Sequence, residues 1–154
     1  MLDIGDQTPI FTLKQTDGTN FKSAALKGQT TVLYFYPKDD TSGCTKQACS
    51  LRDGYQKLKQ AGVVVYGISP DAVESHVKFT DKYSLPFPLL ADTGHKVAEE
   101  FGVWVEKNMY GKKSMGIKRT SFIIGADGKI VDVIKKVDTE NHAAQVLERL
   151  QKLS

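Results

Sequence analysis

No stretch of this sequence is apolar enough to cross a membrane. The longest apolar run, AGVVVYGI at 61–68, is far shorter than the ~20 residues a spanning helix needs. The start of the chain, MLDIGDQTPIF, lacks the basic residues and apolar stretch of a secretory signal, so the cytoplasm is the expected location. Charge of one sign is lacking as well. Lys and Arg number 21 against 18 Asp and Glu, a formal net charge of +3 with the two signs interleaved, and no nucleic-acid partner is expected. Repeats, low-complexity tracts and linkers are absent, which predicts a single domain over 1–154. A chain of this length buries roughly 70% of its unfolded surface and needs no disulfide or metal as a staple. Cysteine is scarce, with only Cys44 and Cys49 present. Their spacing rules out the C-x-x-C pair of a dithiol exchanger, and two thiols are too few for an all-thiolate zinc site. His76, His95 and His142 are scattered, none at ligand spacing from the cysteines, so no metal or cofactor is expected and each is placed on a helix surface.

What is present alternates between strand and helix patterns. FTLKQTDGTNFKS (11–23) alternates around TDGT and predicts a short hairpin. TTVLYFY (30–36) and GVVVYGIS (62–69) are β-branched and aromatic, and read as buried strands. Between them Cys44, Ala48, Leu51, Tyr55 and Leu58 recur at steps of four and three, one face of an amphipathic helix. Further helices are expected over 71–83 and 94–101. TSFIIGADGKIVDVI (120–134) reads as two strands joined at ADGK, and Ala143, Val146, Leu147 and Leu150 mark a C-terminal helix. The class is α/β, with strands buried between helices.

Cys44 opens the apolar helix face just after the turn-forming DDTSG, while Cys49 lies about 140° further round the helix. The first thiol is therefore expected to face the core and the second to face away. A thiol at a helix N-terminus meets unpaired N–H groups and the positive end of the dipole, which favour the thiolate. Two readings of Cys44 stay open on these residues alone, a nucleophile or a small buried hydrophobe.

The segment FYPKDDTSGCTKQACSLRD carries the pattern P-x-x-x-T-x-x-C as Pro37, Thr41 and Cys44, with the second cysteine five residues on. On it the chain closely resembles the peroxiredoxins of the peroxiredoxin Q, or bacterioferritin comigratory protein, group, from GDQTPIFTL through MYGKKSMGIKRTSFII to the last helix. Ser42 departs from the group, which usually has proline there. The resemblance implies a thioredoxin-like fold, a central mixed β-sheet flanked by helices with an N-terminal β-hairpin, and reduction of hydroperoxides by a monomer. It implies that Cys44 is the peroxidatic thiol, that Thr41 hydrogen-bonds sulfur and peroxide, that Pro37 shields the site, and that Arg119 is the distant catalytic arginine. By itself Arg119 would read as an ordinary charge at a strand end. Cys49 would be the resolving thiol, closing an intramolecular disulfide that a thioredoxin-type dithiol reductant reopens. A peroxide sensor or chaperone-like binding protein could use the same cysteine pair; many turnovers of peroxide would mark an enzyme, about one a sensor.

Acidity alone cannot account for such an enzyme. Lowering a thiol pKa from about 8.5 to about 6 raises the thiolate fraction at pH 7 roughly thirtyfold, but lost nucleophilicity takes back about thirteenfold. Groups that hold the peroxide and its departing oxygen must supply the rest. Geometry adds a second demand. Residues five apart in a regular helix have Cα atoms about 8.6 Å apart, beyond the ~7 Å limit for a disulfide. The first helical turns are therefore expected to unwind on oxidation, helped by Gly43 and by polar Thr45, Lys46, Gln47 and Ser50, which are expected to bury little. Residues 105–119 carry five basic side chains against one acid and read as a solvated loop or hairpin, or as a docking surface or field beside the thiolate.

Overall fold

Strand β3 (Thr30–Phe35), the expected apolar run, is an interior strand of a seven-stranded sheet ordered β2-β1-β5-β4-β3-β8-β9 in the computed structural model, which describes residues 1–153. Ser154, the last residue of the expected domain, lies outside the described residues. β3 pairs in parallel with β4 (Val63–Ser69), and β4 in parallel with β5 (Leu89–Ala91). On the other side β8 (Thr120–Ile124) and β9 (Ile130–Ile134) follow antiparallel, the hairpin expected at ADGK. β1 (Thr12–Gln15) and β2 (Asn20–Lys22) form the N-terminal hairpin, and β1 joins the edge of β5. The sheet is therefore mixed, as the thioredoxin-like expectation required.

Alternation along β3 builds two cores. Val32 and Tyr34 point to one face, Leu33 and Phe35 to the other. The first face is covered by α1 (Ser42–Asp53), α2 (Tyr55–Gln60), α3 (Val73–Tyr83) and α5 (His142–Leu153). The second is covered by α4 (Lys96–Phe101), with Val103, Ile117 and the aromatics Phe11 and Phe21. β6 (Trp104–Met109) and β7 (Lys112–Ile117) form a separate two-stranded hairpin, so the basic segment is a hairpin, with exposed Met109 and Tyr110 at its tip. No helix among the described residues is long and apolar enough to cross a membrane.

Two expectations are corrected here. The stripe from Cys44 to Leu58 is not one helix, because α1 ends at Asp53, Gly54 caps it, and α2 begins at Tyr55. Packing gives the reason. A Cβ on Gly54 would stand 2.4 Å from the Cβ of Ala143, so α5 can cross only where α1 presents bare backbone. The histidines are not all on the surface either. His76 and His142 are fully buried and only His95 is partly exposed, stacked on Trp104 at 3.9 Å between ring centroids.

His142 generates a pH dependence. Its Nδ1 faces Gln145 Oε1 at 2.8 Å and its Nε2 meets the Ser121 hydroxyl at 2.7 Å, a neutral ring with both nitrogens engaged. Burial, assisted by the positive charge of Arg119 and opposed by the Gln145 hydrogen bond, lowers its pKa from 6.5 to about 4. The unfolded chain then binds a proton that the folded chain refuses. The stability tied to this ring is complete above 6.5 and is lost as the pH falls towards 4. Between pH 7 and pH 4.5 the loss should be on the order of 2 kcal/mol. Urea unfolding at the two pH values should show a smaller loss in His142→Gln than in the parent; equal losses would remove His142 as the cause.

Candidate active site

The chain leaves β3 at Tyr36, passes the half-buried Pro37, and turns through Asp40, whose φ of 58° is left-handed. Thr41 follows in extended conformation (φ −91°, ψ 159°) and flanks the start of α1. Its carbonyl accepts the Thr45 N–H at 2.8 Å, which opens the helix. Cys44 is the third residue of α1. Its side chain is 1% exposed and packs with Tyr34, Tyr36 and Ala48, while Cys49 is half-buried; both thiols are free. The two faces are as the helix geometry predicts.

Arg119 enters from the junction between β7 and β8, 75 residues along the chain from Cys44. Its Nη2 donates to Cys44 Sγ at 3.2 Å and its Nη1 to Gln47 Oε1 at 2.6 Å. The planar fork therefore bridges the sulfur and one turn of the same helix. Gly43 gives it room, since a Cβ there would lie 3.1 Å from Nη2. Lys107, on β6, lies across Gly116, where a Cβ would come within 3.2 Å of its Cδ. Partial burial, then repulsion from Arg119, lowers the pKa of Lys107, while negative charge at Cys44 would raise it. The sulfur, Arg119 and Lys107 thus share one local field.

The expected residues come together unequally. Cys44 and Arg119 touch. Thr41 is exposed, and its hydroxyl donates to the Lys38 carbonyl at 2.9 Å rather than to the sulfur. Gln47, expected among the little-buried polar residues, is fully buried because its amide oxygen is the acceptor that fixes Arg119. Its Nε2 has no partner among the described residues. The spacing from Cys44 to Gln47, one i,i+3 step on the same helix face, was a usable signal for that pairing. Asp39, Asp71 and His76 present metal-type donors within 4.8 Å of one another, but both His76 nitrogens already have partners, Asp39 and the Leu90 carbonyl.

A thiol buried at a helix start, paired with a distant arginine on a thioredoxin-like sheet, defines a thiol peroxidase of the peroxiredoxin class. Comparison with known proteins agrees. Residues 4–133 match the AhpC/TSA family. Peroxiredoxin Bcp of Escherichia coli (strain K12) is 48% identical over 150 residues, covering 97% of this chain and 96% of that one. A crystal structure of a Xylella fastidiosa PrxQ mutant superposes with a TM-score of 0.92 at 32% identity, covering 99% of this chain and 97% of that one. The Xanthomonas campestris bacterioferritin comigratory protein, studied for its alkyl peroxide reduction activity, gives 0.86 at 36% identity over 92% and 90% of the two chains. The chain belongs to the AhpC/TSA family and, within it, to the peroxiredoxin Q/Bcp group.

Gln47 sets a trade between stability and position. Gln47→Leu removes a buried amide nitrogen that has no partner among the described residues, but it also takes away the acceptor that orients Arg119. The variant should unfold at the same temperature or higher, yet react with hydrogen peroxide about tenfold more slowly in stopped flow. Unchanged reactivity would mean that Arg119 needs no such anchor.

Proposed function

We propose that Cys44 is the peroxidatic thiol of a monomeric, cytoplasmic peroxidase that acts as one domain over 1–154. Its substrates are hydrogen peroxide and organic hydroperoxides. The observation that carries this reading is the Arg119 guanidinium on a buried sulfur at the first turn of α1. The thiolate attacks the nearer peroxide oxygen and the O–O bond breaks. Cys44 becomes a sulfenic acid, and the other oxygen leaves, takes up a proton, and departs as water or alcohol. Arg119 and the unpaired N–H groups of the first α1 turn are the donors aimed at the charge that develops. The Thr41 hydroxyl donates its hydrogen bond to the Lys38 carbonyl, so its oxygen is available to accept one from the peroxide O–H. Pro37 covers the approach.

In the second stage the Cys49 thiol attacks the sulfenic sulfur, water is released, and an intramolecular disulfide forms. A thioredoxin-type dithiol reductant then returns both thiols. Alkyl peroxide reduction by the Xanthomonas campestris relative supports the organic substrates. The test is consumption of peroxide with thioredoxin as reductant, over many equivalents per chain. Cys44→Ser should abolish it, whereas Cys49→Ser should react once and leave a sulfenic acid on Cys44 that dimedone traps. Single turnover retained in Cys44→Ser but lost in Cys49→Ser would reverse the two roles.

Both cysteines lie within the continuous helix Ser42–Asp53, so the disulfide requires part of α1 to unwind. The N-terminal half is the part suited to this. It lacks a side-chain cap at Thr41 and an acid in the first turn, and it begins with Ser42 and Gly43. Hydrogen exchange should show amides of 44–52 losing protection on oxidation. Full protection in a protein whose Cys44–Cys49 disulfide has been mapped by mass spectrometry would rule out unwinding.

A further inference from the structure

Asp39 is an unusual residue to place in the turn that leads to the reactive helix. It is a carboxylate only 8% exposed, between Pro37 and Thr41. Burying such a charge costs several kcal/mol unless good partners replace water. Here the partners are complete. The Tyr36 hydroxyl donates to Oδ1 at 2.6 Å, and the Ser75 hydroxyl to Oδ2 at 2.8 Å. His76 Nδ1 lies 2.7 Å from Oδ2. The backbone N–H of Asp39 donates to Asp71 Oδ2 at 2.7 Å, and that oxygen also receives the Ser69 hydroxyl.

Proton counting fixes the central contact. His76 Nε2 lies 3.0 Å from the Leu90 carbonyl, which can only accept, so Nε2 carries a hydrogen. A second proton must lie on the short Nδ1–Oδ2 line, shared between imidazole and carboxylate. The pair is neutral as a unit, with both ring nitrogens and both carboxylate oxygens engaged. His76 is fully buried on α3 and is tied to β5 through Leu90, so the pair joins the turn to two elements that do not belong to the reactive helix.

The next residue shows why the tie matters. Asp40 is left-handed, a strained conformation for a residue with a side chain, which persists only where the surroundings enforce it. Its carboxylate receives Lys82 Nζ and the Tyr83 hydroxyl, both at 2.8 Å, from the end of α3. That contact is exposed and, as a surface pair, contributes little. The buried contact at Asp39 must do most of the holding. A nonpolar contact of similar volume would stabilise the fold as well or better. Directional bonds add orientation, which a peroxide pocket built from the backbone of a turn requires.

We propose that Asp39 and His76 form a buried positioning unit that fixes the Pro37–Thr41 turn to α3 and so sets the geometry in which Thr41 and the first turn of α1 receive the peroxide. Neither residue touches substrate. The proposal rests on Cys44 being the peroxide-reactive thiol. It separates two properties of that thiol: general reactivity, which belongs to its own surroundings, and the selective advantage of peroxide, which depends on the turn.

The test compares two reactions of Cys44 in the full-length reduced protein. One is the second-order rate with hydrogen peroxide, the other the rate of alkylation by iodoacetamide at the same pH. Asp39→Asn and His76→Leu should each lower the peroxide rate by about tenfold or more while changing alkylation less than about twofold. His76→Asn, which restores a donor near the Nδ1 position, should recover much of the loss. Lys82→Ala should leave both rates alone. A peroxide rate within twofold of the parent in Asp39→Asn and His76→Leu would overturn the proposal. So would a parallel fall in both rates, which would place the effect on the thiol itself. If His76→Leu does not fold, Tyr36→Phe and Ser75→Ala each delete one bond to Asp39, and unchanged peroxide rates in both would count equally against it. Failure of parental Cys44 to react with peroxide would instead sink the peroxidase reading, and is seen separately in the parent protein.

Discussion

The contact on which the rest of the site depends is a two-pronged one. One guanidinium reaches a sulfur at 3.2 Å and an amide oxygen at 2.6 Å on the same face of one helix. A lysine at position 119 could provide the charge but not two fixed, coplanar donors. The constraint spreads outward from there. The β7–β8 junction must deliver the arginine to the N-terminal half of α1, and a side chain at residue 43 would crowd Nη2 and push the guanidinium out of place. Gln47 must be buried even though its amide nitrogen finds no partner among the described residues. An unpaired buried N–H group costs about 1–3 kcal/mol, a penalty consistent with a residue placed for geometry rather than stability.

The tethers on α1 are uneven. Its C-terminal half is held by the Ala143 N–H donating to the Ser50 hydroxyl, by Arg52 donating to the Tyr83 carbonyl, and by Gly54 packed against Ala143. Its N-terminal half has the Arg119 fork, the buried faces of Cys44 and Gln47, and an exposed Lys46–Glu140 pair. Chemistry at the sulfur changes the fork directly, because a neutral sulfenic acid attracts a guanidinium less than a thiolate does. The same contact that organises the reduced site is therefore weakened by the reaction. Nothing comparable happens at Ser50, Arg52 or Gly54. On the reading proposed above, unwinding of α1 would begin at the end that carries the fork, with the other end anchored.

Local patterns made most of the fold legible. The strands at 30–36 and 62–69, the hairpins at 11–23 and 120–134, and the helices expected at 71–83, 94–101 and the C-terminus lie close to where periodicity and turn residues placed them. β5 has only three residues and no alternation long enough to detect, so it emerges only from its pairing with β4 and β1. The break at Gly54 was hidden because the apolar stripe continues through it; its cause is Ala143, remote in sequence. Cys44 and Arg119 were legible through family resemblance, since nothing local marks Arg119 as more than a strand-end charge. His76 and His142 were misplaced for one shared reason. A polar ring on a helix reads as solvent-facing until its partners are known, and Asp39, Leu90 and Ser121 are all distant in sequence.

The charges around the two cysteines are arranged for different tasks. Arg119 donates directly to Cys44, and Lys107 adds a second, partly desolvated cation nearby. Two cations near one sulfur repel each other, and the pKa of Lys107 is lowered by its burial first and by Arg119 second. The repulsion is relieved when negative charge gathers between them, first on the thiolate and then on the oxygen leaving the peroxide. That relief is already present in the thiolate, which carries the same net charge as the transition state, so it favours ionisation of the thiol; accelerating O–O cleavage itself needs donors aimed at the departing oxygen. Cys49 lies on the other face of α1 with Arg52 one turn away, and that arginine is already bonded to Asp53 and to the Tyr83 carbonyl. Its guanidinium is committed to holding the helix end. The positive charge free to follow the reaction is concentrated at Cys44, where the peroxide bond would break.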